Sequence, residues 1–163
     1  MTSIVERLGE ILSVEMAVLI TAALPIIELR GAIPFGVLWG LSPFHATLIS
    51  FLGSMIPVPI ILFTIRPIFN WMKQFKYLKG IVERLTLSSE KKNAGKIQKF
   101  GAWALIPIVA IPLPGTGVWS GSLAAALLNI RFKWAFPAIL LGNFIAAMAV
   151  VALTNGAAQI IGR

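Results

Sequence analysis

Long apolar runs, cut by short breaks rich in Pro and Gly, organise this chain. From Met16 to Ile65 the only charged side chains are Glu28 and Arg30, and further apolar blocks cover Phe100–Ile130 and Trp134–Thr154. About 20 residues of helix are needed to cross a bilayer. Phe44–Ile65 and Trp134–Thr154 are long enough to do so. Met16–Ile27 and Gly101–Ile111 are not, since a helix of 12 residues rises only about 18 Å. Met16–Ile27 runs into Glu28-Leu-Arg30-Gly31-Ala-Ile-Pro34-Phe-Gly36, and Gly101–Ile111 into Pro112-Leu-Pro114-Gly115-Thr116-Gly117. Pro removes a backbone donor and Gly frees the backbone, so both stretches read as unwound breaks at mid-membrane depth. A second short limb follows each, Ile33–Leu41 and Val118–Ile130.

Two short limbs around a polar break describe a re-entrant hairpin. The order limb, break, limb, full span occurs twice. Within the spans, Phe51-Leu52-Gly53-Ser54 aligns with Leu140-Leu141-Gly142-Asn143 at an offset of 89. The expected fold is therefore an all-α integral membrane protein: an inverted repeat of two re-entrant hairpins, each followed by a transmembrane helix. Four to six ordinary spans are the alternative. Outside the repeats, Ser3-Ile-Val-Glu6 has capping-box spacing, and Ile4, Leu8, Ile11 and Leu12 share one face. The expected organisation is one membrane domain, 1–163. It divides into an amphipathic segment over 1–15 (helical over 3–14), a first repeat over 16–65, a basic amphipathic segment over 66–99 and a second repeat over 100–157. The N-terminal helix reads equally well as an extension of the first limb.

Composition supports the membrane reading. Of 163 residues 58% are hydrophobic and only 12% charged, far too few charges to cover a soluble domain of this size. There is no Cys and a single His, His45, which excludes disulfide scaffolds, structural zinc sites and Cys nucleophiles. No cofactor or metal is expected. Acidic residues precede the first apolar run, where a cleaved signal would carry basic ones.

Charge orients the halves. Between Arg66 and Lys99 nine basic residues face two acidic ones, +7 in 34 residues, while the rest of the chain sums to +1. The positive-inside rule places this segment in the cytoplasm. Its face of Ile68, Trp71, Met72, Phe75, Leu78, Val82 and Leu85, flanked by lysines, suits a helix lying on anionic lipid. The first hairpin then enters and leaves from outside, with the Lys- and Arg-free turn Gly40–His45 joining it to the first span, and the second enters from the cytoplasm and returns there at Arg131 and Lys133. An acidic nucleic-acid partner is disfavoured by the attached membrane block.

Chemistry centres on the breaks. A charge within the membrane costs at least about 2.5–3.5 kcal/mol and by default marks a cavity or a partner. Glu28 reads as a protonatable gate and Arg30 as an anion clamp, or the two as a self-neutralising structural pair. Amides exposed around Gly115–Gly117 and the N-terminal end of the limb at Val118 suit an anionic headgroup, with the hydroxyls of Thr116 and Ser120 nearby. Pro112–Gly117 reads alternatively as a tight packing turn. Ser54 and Asn143 either line the cavity from both spans or hydrogen-bond between helices. His45 reads as a surface residue. No enzyme is expected: Ser120 has no His on its side of the membrane, and the clustered Arg and His of a membrane phosphatase are missing.

The two break motifs, Glu28–Gly36 and Pro112-Leu-Pro114-Gly115-Thr116-Gly117-Val-Trp119-Ser-Gly121, resemble the signature stretches of the small multidrug export protein family. That family is similar to the DedA (SNARE-associated, VTT) superfamily of prokaryotic membrane proteins. The resemblance covers about Met16 to Ala157. It implies paired re-entrant hairpins, a prokaryotic cytoplasmic (inner) membrane, and transport in place of catalysis. In DedA-like proteins an acidic residue of the first hairpin and an arginine of the second half are implicated, with lipid-linked phosphates as substrates of some members. Glu28 matches the acidic position. The second motif carries no arginine, the nearest being Arg131, and Arg30 stands as its substitute.

The expectation is a small proton-linked transporter or exporter that moves an anionic lipid phosphate or amphiphile by alternating access. Its site comprises Glu28, Arg30, Gly31, Pro34, Pro112, Pro114, Gly115, Thr116, Gly117, Trp119, Ser120 and Asn143. Anionic lipids are the expected partners, the proton is the coupling ion, and the chain is expected to form a homodimer. Two other readings remain open: export of cationic amphiphiles with Glu28 as counter-ion, and a non-transporting membrane scaffold.

Overall fold

The computed structural model describes residues 13–72, 94–111 and 116–161, and among them every regular element is an α-helix. The predicted helix over 3–14, except for its last two residues, lies outside the described residues. So do the centre of the basic segment, 73–93, and Pro112, Pro114 and Gly115.

Helix α1 spans Val14–Ala23, with Ser13 Oγ accepting from Met16 N at 3.4 Å. It stops before Pro25, which cannot donate to a helical ladder. After Leu24–Ile27 the chain re-enters a helix, α2, Glu28–Leu38. Helix α3 is Pro43–Met55, with Pro43 in the first turn, where its missing N–H costs nothing. One turn residue, Ile56, separates it from α4, Pro57–Met72, so that Pro43–Ile65 forms an apolar stretch of 23 residues. The second half repeats the order: α5 is Ala94–Ala110, α6 is Val118–Leu127 and α7 is Phe132–Ile161. Within α7, Phe132–Gly156 is an apolar stretch of 25 residues. Both stretches are long and apolar enough to cross a bilayer, and they lie within two residues of the spans predicted at Phe44–Ile65 and Trp134–Thr154.

The first break differs from the sequence expectation. The irregular residues are 24–27, and the motif Glu28–Gly36 is helical throughout, Pro34 included. Pro34 sits in the second turn of an eleven-residue helix. It forfeits one bond to the Arg30 carbonyl without ending the element.

The two halves share local geometry at one offset. Helix α2 closes through Trp39 N to Phe35 O, Gly40 N to Val37 O and Leu41 N to Gly36 O. Helix α6 closes through Leu128 N to Ala124 O, Asn129 N to Ala126 O and Ile130 N to Ala125 O, each bond displaced by 89 residues. Gly40 and Asn129 take the left-handed conformation that such a C-terminal closure requires, with φ of 92° and 52°. The first turns of α3 and α7 match as well, Ala46 N to Ser42 O and Ala135 N to Arg131 O.

Packing repeats with the geometry. A Cβ on Gly53 would overlap the Leu19 carbonyl and approach Ala22. A Cβ on Gly142 would overlap the Ile106 carbonyl and Val109. In each half the span lies directly on the backbone of that half's first limb, and only glycine allows the approach. The largest core joins α4 to the second half through Val58, Leu62, Leu105, Val109, Ile130 and Ile139. A second cluster, Leu29, Ile33, Ala146, Ala147 and Val150, joins α2 to α7. The outer faces carry exposed Phe44, Leu48, Leu52, Ile60, Phe63, Leu140, Leu141, Phe144 and Leu153. An apolar exterior of this kind suits contact with hydrocarbon.

Candidate functional site: the junction of the two breaks

Glu28 opens α2 with φ of 51°, and at the matching position of the second half Gly117 precedes α6 with φ of 127°. The two residues face each other across the molecule. The Glu28 side chain, 6% exposed, lies over Gly117, and Oε1 accepts from Trp119 N at 3.4 Å. Helix α6 has no side-chain cap of its own. The carboxylate of the opposite half therefore stands at its N-terminal end, where free N–H groups and the helix dipole favour a negative charge. Glycine is required at 117 on two counts: its φ is one that side chains avoid, and any Cβ there would overlap the Glu28 carboxylate.

Arg30, one residue beyond Leu29, reaches a different part of the same junction. Its Nη2 donates to Ile111 O at 2.9 Å and to Val109 O at 3.2 Å, and Nη1 donates to Thr116 O at 3.1 Å. These carbonyls end α5 and border the second break. Trp119 occupies the position 89 residues after Arg30, and its Nε1 donates to Ala23 O, the last residue of α1, at 3.2 Å. Each half thus uses one side chain at the same helical position to tie down the end of the other half's first limb.

The sequence-predicted residues sort accordingly. Glu28, Arg30, Thr116, Gly117 and Trp119 meet at the junction, with Ser120 Oγ donating to Gly117 O at 3.4 Å. Thr116 Oγ1 donates to Ile111 O at 2.7 Å and so links the two described residues on either side of 112–115. Gly31 and Pro34 lie further along α2, Gly31 tightly packed against Ile27. Pro112, Pro114 and Gly115 are outside the described residues. Asn143 makes the interhelical bond: its Nδ2 donates to Ser54 Oγ at 2.9 Å, with both residues buried. Ala23, Val109 and Ile111 take part through backbone carbonyls alone, and no side-chain motif could have marked them. Among the described residues no group of His, Cys, Asp and Glu could hold a metal ion.

Residues 28–149 match the family described as "Putative small multi-drug export protein". The chain belongs to that family. The match begins at Glu28, the residue at the centre of the junction, and runs into the second apolar stretch. No curated protein and no solved structure matches the chain. Family membership and the two long apolar helices together make this a membrane protein of the small multidrug export family.

Proposed function

We propose that this export-family protein moves an amphiphile with an anionic headgroup by exchanging that headgroup for the Glu28 carboxylate at the N-terminal end of α6. The observation that carries the reading is Glu28 itself: a nearly buried carboxylate from one half resting on Gly117 and the Trp119 amide of the other. It holds the place that an anionic headgroup would take. Protonation removes its charge and its claim on the helix end, and the headgroup then accepts from the vacated amides. Proton and monoanion enter the site together, so no net charge is added to it. Arg30 contributes positive charge beside that place while its hydrogen bonds tie the end of α5 to Thr116.

The recurring bonds at an offset of 89 support an inverted repeat, with α1–α2 and α5–α6 as re-entrant hairpins whose tips meet at the junction. Alternating access would exchange the environments of the two hairpins around a fixed site. The basic segment 66–99 faces the cytoplasm in this reading, in a prokaryotic inner membrane, and two copies form a homodimer. In proteoliposomes carrying a pH gradient, transport of dodecyl methyl phosphate, a permanent monoanion, should depend on the gradient and fall at least tenfold in Glu28→Gln. Unchanged transport and gradient response in that variant would reject the exchange.

A further inference from the structure

A cavity of about 630 Å³ opens between the start of α3 and the second half of α7. Helix α3 lines it with Phe44, Thr47 and Phe51, and α7 with Phe144, Ala147 and Val151. Its volume falls in the range of ligand sites, about 300–1,000 Å³, and its walls are almost wholly apolar. Polar groups stand towards one end. Ser42 caps α3 and Asn155 is exposed near the close of the apolar stretch of α7, and both border the cavity. Phe51 and Phe144 meet edge to face with centroids 6.4 Å apart, and Phe51 and Ala147 also pack with Leu29 and Ile33 next to Glu28.

The region related by the offset of 89, between the start of α7 and the α3–α4 stretch, shows that this space is not forced by the backbone. At the matching positions Thr47 is replaced by Phe136, Ala147 by Val58, Val151 by Leu62 and Phe144 by Met55. All four replacements are packed into or against the largest core. Phe132 stacks between Phe136 and Phe63, with centroids 5.2 and 4.8 Å away. At three of these four positions, 47, 147 and 151, the cavity carries the smaller side chain of the matched pair, and at 144 it carries the larger.

We propose that the cavity is a loading site for a single-chain amphiphile: the hydrocarbon chain lies between α3 and α7, and the headgroup sits at the Ser42–Asn155 mouth. A hydroxyl and an amide each donate and accept, so they suit a polar head at the membrane surface. The apolar walls take up the chain without a hydrogen-bond penalty, and the open side admits it directly from the bilayer. This inference rests on the proposed function for the onward step to Glu28, while binding at the cavity does not require that step.

The test is photolabelling of the protein in phosphatidylcholine–phosphatidylglycerol nanodiscs with dodecyl methyl phosphate bearing a diazirine at the terminal carbon. Label should concentrate in residues 44–51 and 144–151. It should fall at least tenfold when Thr47→Phe, Ala147→Val and Val151→Leu together import the side chains of the filled counterpart region. Thr47→Phe alone should weaken it, and Leu52→Phe, at an exposed position on α3, should not. Even labelling of the exposed residues Leu52, Phe63 and Leu140, or labelling indifferent to the triple change, would overturn the proposal. Equal labelling by a phospholipid with the diazirine on its acyl chain would also overturn it, identifying a lipid site. Glu28→Gln in parallel separates the two ideas: it should keep the label and lose transport. Normal transport in Glu28→Gln with cavity labelling intact removes the exchange mechanism alone. Lost transport with no cavity labelling removes the loading site alone.

Discussion

At one position in their shared order the two halves carry opposite solutions. The first half has Glu28, a charged side chain on a left-handed backbone, and the second has Gly117, a left-handed backbone with no side chain. A Glu there costs roughly 1–2 kcal/mol in conformation, and the missing Cβ of Gly117 leaves the space its carboxylate fills. Two such glycines would leave the junction without a charge, and two such glutamates would place carboxylates against each other in a buried site. The asymmetry between similar halves is what leaves a single carboxylate at the junction. Arg30 and Trp119 repeat the lesson in milder form, since both tie down the opposite limb but only one carries charge.

The comparison breaks most severely at Gly117. In Gly117→Ala the new methyl meets the Glu28 carboxylate, adding overpacking of about 1–3 kcal/mol to a similar conformational cost. The expected outcome is loss of monodisperse protein after solubilisation, or a thermal midpoint lowered by many degrees. Gly31→Ala is a poor control because Ile27 crowds it. Gly156→Ala, with open space around it, should be tolerated.

Next in size is the clamp. Arg30→Lys keeps the charge but loses the planar fork that reaches three carbonyls, so thermal unfolding should show a loss of about 2–4 kcal/mol. Trp119→Phe removes one neutral hydrogen bond and should cost about 1 kcal/mol. Equal losses in the two variants would mean that the halves are held alike. The smallest effect belongs to the Asn143–Ser54 bond. Ser54→Ala should cost about 0.6 kcal/mol, the usual size of an interhelical hydrogen bond in a membrane, with transport retained.

Much of this was legible in the sequence, and the boundary of legibility is physical. Span ends followed from the length of apolar runs, because hydrocarbon thickness imposes that length whatever the tertiary contacts. The offset of 89 was visible in Gly53-Ser54 and Gly142-Asn143, and the hydrogen bond between Ser54 and Asn143 joins residues of that spacing. The sequence places the first break too late, because Pro34 reads as a helix breaker although a helix with one forfeited bond is held by the packing of Leu29, Ala32 and Ile33. Glu28 and Gly117 both stand out in the sequence, but their contact is tertiary and no local pattern encodes it. The roles of the Ala23, Val109 and Ile111 carbonyls were invisible for the same reason, since every residue has a carbonyl. The cavity, too, depends on side-chain volume at matched positions, which becomes meaningful only once the two halves are superposed in register.

The central claim is that an anionic headgroup and the Glu28 carboxylate compete for one place, with a proton making the exchange possible. Calorimetric titration of the protein in nanodiscs with dodecyl methyl phosphate, at pH 7 in buffers of different ionisation enthalpy, counts the protons taken up on binding. Exchange predicts uptake of about one proton per amphiphile in the wild type and none in Glu28→Gln. Binding without proton uptake, or uptake that survives Glu28→Gln, would contradict it.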